Sequence, residues 1–194
     1  MMSDESAITL WWIGEGTADE PLLEHVRQHL ATEFQVMVAR EDPNERPSGT
    51  FDTRRQQHAS RDVLRWLVAR TPRVPGRLLG ITDVDLFIPV LTFVFGEAQL
   101  NGRAAVVSVA RLSDRNPRLT ADRLARESLH ELGHTFGLLH CAAFEGTGRQ
   151  ARPCVMARSA SLRTVDTKST RLCADCRTRY LLRLQDGSHV YREH

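Results

Sequence analysis

Long hydrophobic runs are missing from this 194-residue sequence, and with them any ordinary membrane-spanning helix. The first apolar stretch, ITLWWIG at 8–14, is short. Asp4 and Glu5 precede it, with no basic segment and no small-residue cleavage site, so it reads as a buried strand and not as a secretory leader. A cytoplasmic protein with no membrane partner is expected. Charge of one sign is also missing. The net charge is only +2, which gives no footprint for nucleic acid. Arg149 and Arg152 stand among polar and apolar residues and read as a solvated loop. Cysteine is scarce, at four residues. In a cytoplasmic chain four cysteines point to metal ligands before disulfides. Internal repeats and low-complexity tracts are absent too.

What is present is ordinary soluble composition, 41% hydrophobic and 26% charged, and enough length for one domain with a sizeable core. Residues 8–14 read as the first strand. Leu22, Leu23, Val26 and Leu30 recur at helical spacing over 18–32. Residues 34–39 alternate like a strand, 41–50 read as a loop, and a second amphipathic helix is predicted over 57–70. The segments LLGITDVDLF, LTFVFGEAQL and AAVVSVARL, broken by Pro89 and by Asn101-Gly102, read as strands that complete a twisted sheet across 78–112. A helix with Thr120 as N-cap is predicted over 120–137, ending at Gly137. A last helix is predicted near 173–184. The alternation gives an α/β (α+β) class. The whole chain, 1–194, reads as one domain. Residues 1–137 form its N-terminal α/β lobe, and 138–194 form a small, irregular C-terminal lobe.

The chemistry concentrates in HELGHTFGLLH at 130–140. His130 and His134 are four apart on one helix and so share a face, where two imidazoles can meet one metal ion. Gly137 lets the backbone turn, and His140 can return as a third ligand. Three protein ligands leave a fourth position for water, the catalytic form of a zinc site. Glu131, beside the first ligand, can take a proton from that water as general base and return it to a leaving amine. The alternative is a set of ordinary core and surface histidines. It leaves the combined spacing of three histidines, a glutamate and a glycine without a cause.

Cys141, Cys154, Cys173 and Cys176 form a second constellation, the last two as a CxxC pair. Four thiolates suit a closed tetrahedral zinc site that staples a lobe with little core. A redox-active CxxC, two disulfides or inert buried thiols are the other readings. His140 and Cys141 are adjacent and would point to different metals. Met156 reads as a core methionine whose position invites a role as an apolar floor beneath the imidazoles. His25 and His29 are also four apart, but no third ligand is evident, and a solvated face is expected. Asp83 and Asp85 are expected to brace a loop through backbone hydrogen bonds sooner than to bind calcium. Glu97 and Glu127 are candidates for orienting other groups and are not counted as catalytic.

HELGHTFGLLHC at 130–141, CVM at 154–156, SLRTVD at 161–166 and CADC at 173–176, with the stretch at 80–112, resemble the archaemetzincin family of metzincin zinc metallopeptidases. The resemblance covers 80–176, about half the chain. It implies a metzincin-like fold, a catalytic zinc at His130, His134 and His140, Glu131 as base, a second zinc at the four cysteines and a Met-turn at Met156. It leans toward aminopeptidase-type activity on small peptides. One departure is the twelve-residue gap between Cys141 and Cys154, AAFEGTGRQARP, longer than the family usually carries. Metzincins bind substrate along an edge strand, for which 104–112 is the candidate by position. Neither Tyr180 nor Tyr191 follows Met156 closely, so no oxyanion-stabilising tyrosine is assigned.

The expected protein is therefore a monomeric zinc metallopeptidase acting on peptides or small proteins. A zinc hydrolase of non-peptide amides shares the same metal and base, and hydrolysis of acylated small molecules would single it out. A non-enzymatic, zinc-stabilised binding module would place a fourth protein ligand in the water position.

Overall fold

In a computed structural model, which describes residues 7–43 and 45–187, the first strand, β1 (Ile8–Trp12), is buried along its whole length. Its residues alternate between two cores. Leu10 and Trp12 face one, while Trp11 faces the other. The sheet runs β2 (Val38–Glu41), β1, β5 (Arg77–Thr82), β8 (Ala104–Ser108) and β7 (Gly96–Ala98) in that order. The first four strands are parallel, and β7 is antiparallel to β8 at the edge. A parallel sheet must be covered on both faces. Helices α1 (Glu20–Phe34) and α3 (Pro117–Thr135) cover one face, and α2 (Ser60–Val68) covers the other. Each fully buried leucine, such as Leu10 or Leu79, contributes roughly 1.5–3 kcal/mol.

Three shorter pieces surround this frame. Strands β3 (Phe51–Asp52), β4 (Gln57–Ala59) and β6 (Leu86–Phe87) form a second sheet. Strands β9 (Phe144–Glu145) and β10 (Arg152–Pro153) make a hairpin from the long gap between Cys141 and Cys154. Helices α4 (Leu162–Thr167) and α5 (Ala174–Gly187) complete the chain. Residues beyond 137 have few regular elements, yet Cys154, Val165, Leu172 and Tyr180 join the core under α1 and α3. Tyr180 hydroxyl donates to the Phe34 carbonyl at 2.6 Å, and both rings pack against Phe136.

Several boundaries differ from those read in the sequence. Residues 34–39 are not a strand from Phe34: α1 runs through that residue, held by the aromatic cluster, and Gln35 closes it in a left-handed conformation at φ 54. The strand begins at Val38. The predicted helix at 57–70 opens as β4, because His58 N–H donates to the Asp85 carbonyl and Ala59 N–H to the Thr50 carbonyl. Helix α3 starts earlier than Thr120. Asn116 caps it, and the Thr120 hydroxyl instead accepts from Asp114 N–H at 2.8 Å. Residues 104–112 do not form the edge strand: the five residues of β8 are all buried, as an interior strand demands, and half-buried β7 is the edge. Asn101, at φ 56, lies in the tight turn between β7 and β8 that its Asn-Gly pair predicts. No helix among the described residues is long and apolar enough to cross a membrane.

Candidate metal centre

Helix α3 places His130 and His134 one turn apart on one face. Their Nε2 atoms stand 3.1 Å apart. Gly137, at φ 81, ends the helix, and Leu138 N–H returns to the Gly133 carbonyl at 3.0 Å. The reversal brings the His140 ring to 5.3 Å from His130 and 5.0 Å from His134. The ligand atoms of the three histidines all lie within 4.8 Å of one another.

Backbone carbonyls orient the first two rings. His130 Nδ1–H donates to Val155 O at 2.9 Å, and His134 Nδ1–H donates to Leu138 O at 2.7 Å. A carbonyl only accepts, so in the neutral rings the proton sits on Nδ1 and Nε2 carries the lone pair. Two lone pairs 3.1 Å apart repel unless a cation lies between them. Tetrahedral zinc, with Zn–N near 2.0–2.1 Å, separates its nitrogens by roughly 3.3 Å. The donor set fits zinc. Burial, aided by the Lys168 charge, holds His130 well below its ordinary pKa of 6.5, and burial also lowers His134 and His140. The rings therefore stay neutral, the state that binds metal.

Glu131 is buried beside them. Burial and then the neighbouring Glu127 raise its carboxyl well above the usual range, with Lys168 opposing. Gly96 on β7 makes room for it, since a Cβ there would lie 2.7 Å from Glu131 Cγ. The cleft, about 490 Å³, is lined by His130, Glu131, His140, Phe95, Gly96 and Arg158 among others. A larger cavity of about 830 Å³ opens beyond the carboxyl ends of β1, β5 and β8, near Asp83 and Arg118. The two clusters of side chains that could hold a metal ion among the described residues lie elsewhere, and His130 and His140 of one of them line the smaller cleft.

Met156 is fully buried under α3. A Cβ on Gly133 would sit 2.4 Å from its Sδ, so the glycine inside HELGH is what lets the thioether approach the helix. The four cysteines also converge, with all their sulfurs within 4.8 Å. Cys141 Sγ and Cys173 Sγ are 3.7 Å apart, far beyond a disulfide bond of about 2.05 Å and close to the roughly 3.8 Å between sulfurs of a tetrahedral Zn–S₄ site. The long insertion does not displace Cys154, because the hairpin returns the chain and Cys154 N–H donates to Ala143 O at 2.9 Å. Burial pushes the Cys154 thiol up to about 11 and raises Cys176 as well; burial also opposes ionisation at Cys173, but hydrogen bonds from Cys176 N–H and its neighbours win and lower it. A divalent cation would stabilise thiolates in this crowded cluster.

Lys168 escaped the sequence reading. Its ammonium is buried beneath the site, 2.9 Å from Glu127, 2.6 Å from Ser159 Oγ and 3.1 Å from Ala157 O. It lies 3.5 Å from His130 Nδ1, whose proton is already given to Val155, so that contact is electrostatic. One signal was available: Lys168 is the only lysine among 26 Lys and Arg residues. A compact ammonium with three donors suits a pocket that a planar guanidinium does not. The lesser candidates have structural partners. Glu97 accepts from Ser60 Oγ, Asp83 accepts from the Glu15 and Gly16 amides, and Asp85 pairs with Arg111. His25 pairs with Asp122, and His29 Nδ1 donates to the His25 carbonyl. Tyr180 is spent on Phe34, and Tyr191 lies outside the described residues.

The family model described as Peptidase family M54 matches residues 49–182. The archaemetzincin of Methanopyrus kandleri is 43% identical over 156 residues, which is 79% of this chain and 80% of that one. Its crystal structure superposes with a TM-score of 0.77 at 34% identity, covering 94% of this chain and 97% of that one. A zinc-dependent peptidase from Methanocorpusculum labreanum superposes with a TM-score of 0.75 at 28% identity, covering 89% and 99%. Together with the three-histidine cleft, these matches show that the chain belongs to the archaemetzincins, the M54 family of zinc-dependent metallopeptidases.

Proposed function

We propose that this protein hydrolyses peptide bonds in the cleft beside α3, with a zinc ion held by His130, His134 and His140 and with Glu131 as general base. A second zinc, held by Cys141, Cys154, Cys173 and Cys176, is structural. The observation that carries the proposal is the pair of lone-pair-bearing Nε2 atoms of His130 and His134, 3.1 Å apart, with His130 and His140 lining the same cleft as Glu131. Zinc held there by the three histidines would supply a Lewis acid that acidifies water. Glu131 receives the proton and hands it to the leaving amine. The edge strand β7 offers backbone groups to an extended peptide, and Gly96 keeps that edge close to Glu131. His130 and His134 keep their orientation through Val155 and Leu138.

Small peptides are the proposed substrates, and trimming from the amino terminus is the part of the proposal that rests on the family resemblance alone. Mapping cut sites in a diverse peptide library by mass spectrometry, with zinc-loaded and chelated protein, tests the reading. Cuts made only by the zinc form support it. Loss of those cuts on N-acetylated peptides assigns an aminopeptidase. No cuts by a form with both metals bound would overturn it and favour a non-peptide amide.

A further inference from the structure

The backbone just after Met156 is fastened at almost every residue. Ala157 N–H donates to Cys154 O at 2.8 Å, and its own carbonyl accepts from Lys168 at 3.1 Å. The Ser159 hydroxyl donates to Glu127 at 2.7 Å and accepts from Lys168 at 2.6 Å. Ala160 N–H donates to Thr164 Oγ1 at 3.0 Å. Arg158 stands between these anchors, exposed and with no hydrogen bond or ion pair among the described residues. The root of its side chain is thus fixed while its guanidinium is unspent.

Its place is the wall of the metal cleft, with His130, Glu131 and His140. Two carboxylates near this wall are already engaged, and Glu131, which lines it, is buried and makes no ion pair with Arg158. Glu127 is paired with Lys168, and Glu97 accepts from Ser60. Much of the remaining lining is apolar, including Leu91, Phe93 and Phe95. Arg158 is therefore the uncompensated cation of a partly apolar cleft. A guanidinium fork matches a carboxylate in two parallel hydrogen bonds.

We propose that Arg158 reads a carboxylate on the substrate, so that this protein prefers short peptides bearing an acidic group close to the cleaved bond. The inference rests on the peptidase reading above for its substrate class. The carboxylate comes from the peptide's C-terminus or from an Asp or Glu side chain; the recognising chemistry is the same.

The test uses the zinc-loaded Glu131→Gln protein, in which bound peptides survive, with and without Arg158→Gln. Calorimetry compares peptides ending in a free acid with their amides, and internal Glu with internal Gln. A carboxylate can also meet zinc directly, but zinc is present in both proteins, so only the difference between them reports Arg158. The expected result is a preference for the acidic member of at least one pair by roughly tenfold, reduced below about twofold by Arg158→Gln. Whichever pair shows it identifies the source. A preference that survives Arg158→Gln, or equal loss of affinity for acidic and neutral members, would overturn the inference. Cleavage by the unsubstituted zinc protein is followed in parallel. Arg158-dependent binding without cleavage leaves the carboxylate reading standing and removes only the peptidase one.

Discussion

Lys168 and Glu127 form an ion pair buried beneath the histidine cluster, Nζ to Oε1 2.9 Å, with side-chain exposures of 1% and 2%. Glu127 lies on α3 three residues before His130, and Lys168 lies just beyond α4, so the pair ties α3 to the segment behind Met156. Removing one partner strands the other as a buried charge, at a cost of about 3–5 kcal/mol. Lys168→Met should therefore lower stability by about that amount in denaturant unfolding. Adding Glu127→Gln should recover part of the loss. A double variant no more stable than Lys168→Met would show that the pair is not coupled as drawn.

Acid should act on the histidines from a definite direction. Burial lowers the folded pKa values of His130, His134 and His140 from 6.5. Above 6.5 neither folded nor unfolded rings bind protons, and the metal-free fold loses nothing. Below 6.5 the unfolded chain takes up protons that the folded rings resist, so stability falls until the folded pKa values are passed. For the same reason zinc meets little proton competition just below pH 6.5. Zinc affinity measured from pH 8 to pH 5 should stay flat through 6.5 and decline only at lower pH. A decline starting above 6.5 would contradict the burial of these rings.

Gly133 should not tolerate a side chain. A Cβ would come within 2.4 Å of Met156 Sδ, and that thioether is fully buried. Overpacking of this kind costs roughly 1–3 kcal/mol. Gly133→Ala should destabilise the protein by about that amount and weaken zinc binding at the histidines above. Gly133→Ala combined with Met156→Ala should relieve the clash, which thermal unfolding can measure.

The cysteine cluster should be separable from the histidine cluster. Cys173→Ser should reduce bound zinc from two to one per chain. It should open the hairpin Phe144–Pro153 to protease, because Cys141 and Cys154 bracket that hairpin. A loss of several kcal/mol corresponds to a fall in melting temperature of about 10 °C for a chain of this size. Retention of two zinc ions and an unchanged melting temperature would contradict a structural metal.

The histidine and cysteine clusters were legible because their signals are local or compositional. His130 and His134 share a helical face by spacing, Gly137 turns the chain toward His140, and four scarce cysteines include a CxxC pair. The α/β alternation was equally local. The missed features depend on contacts far along the chain. Residues 57–59 became β4 through Thr50 and Asp85, and 104–108 became an interior strand through β5 and β7. Glu127 and Lys168 are separated by 40 residues, and nothing beside either one announces the other; only the solitary lysine did. Gly96 and Arg158 carry no local signal, since one is defined by Glu131 across the cleft and the other by what surrounds it without bonding to it.

The most direct test of the account is turnover and metal content measured on the same sample of Glu131→Gln. The prediction is two zinc ions per chain, as in the unsubstituted protein, with peptide hydrolysis slowed roughly a hundredfold to ten-thousandfold. Undiminished hydrolysis with both zinc ions present would contradict the assignment of Glu131 as the base.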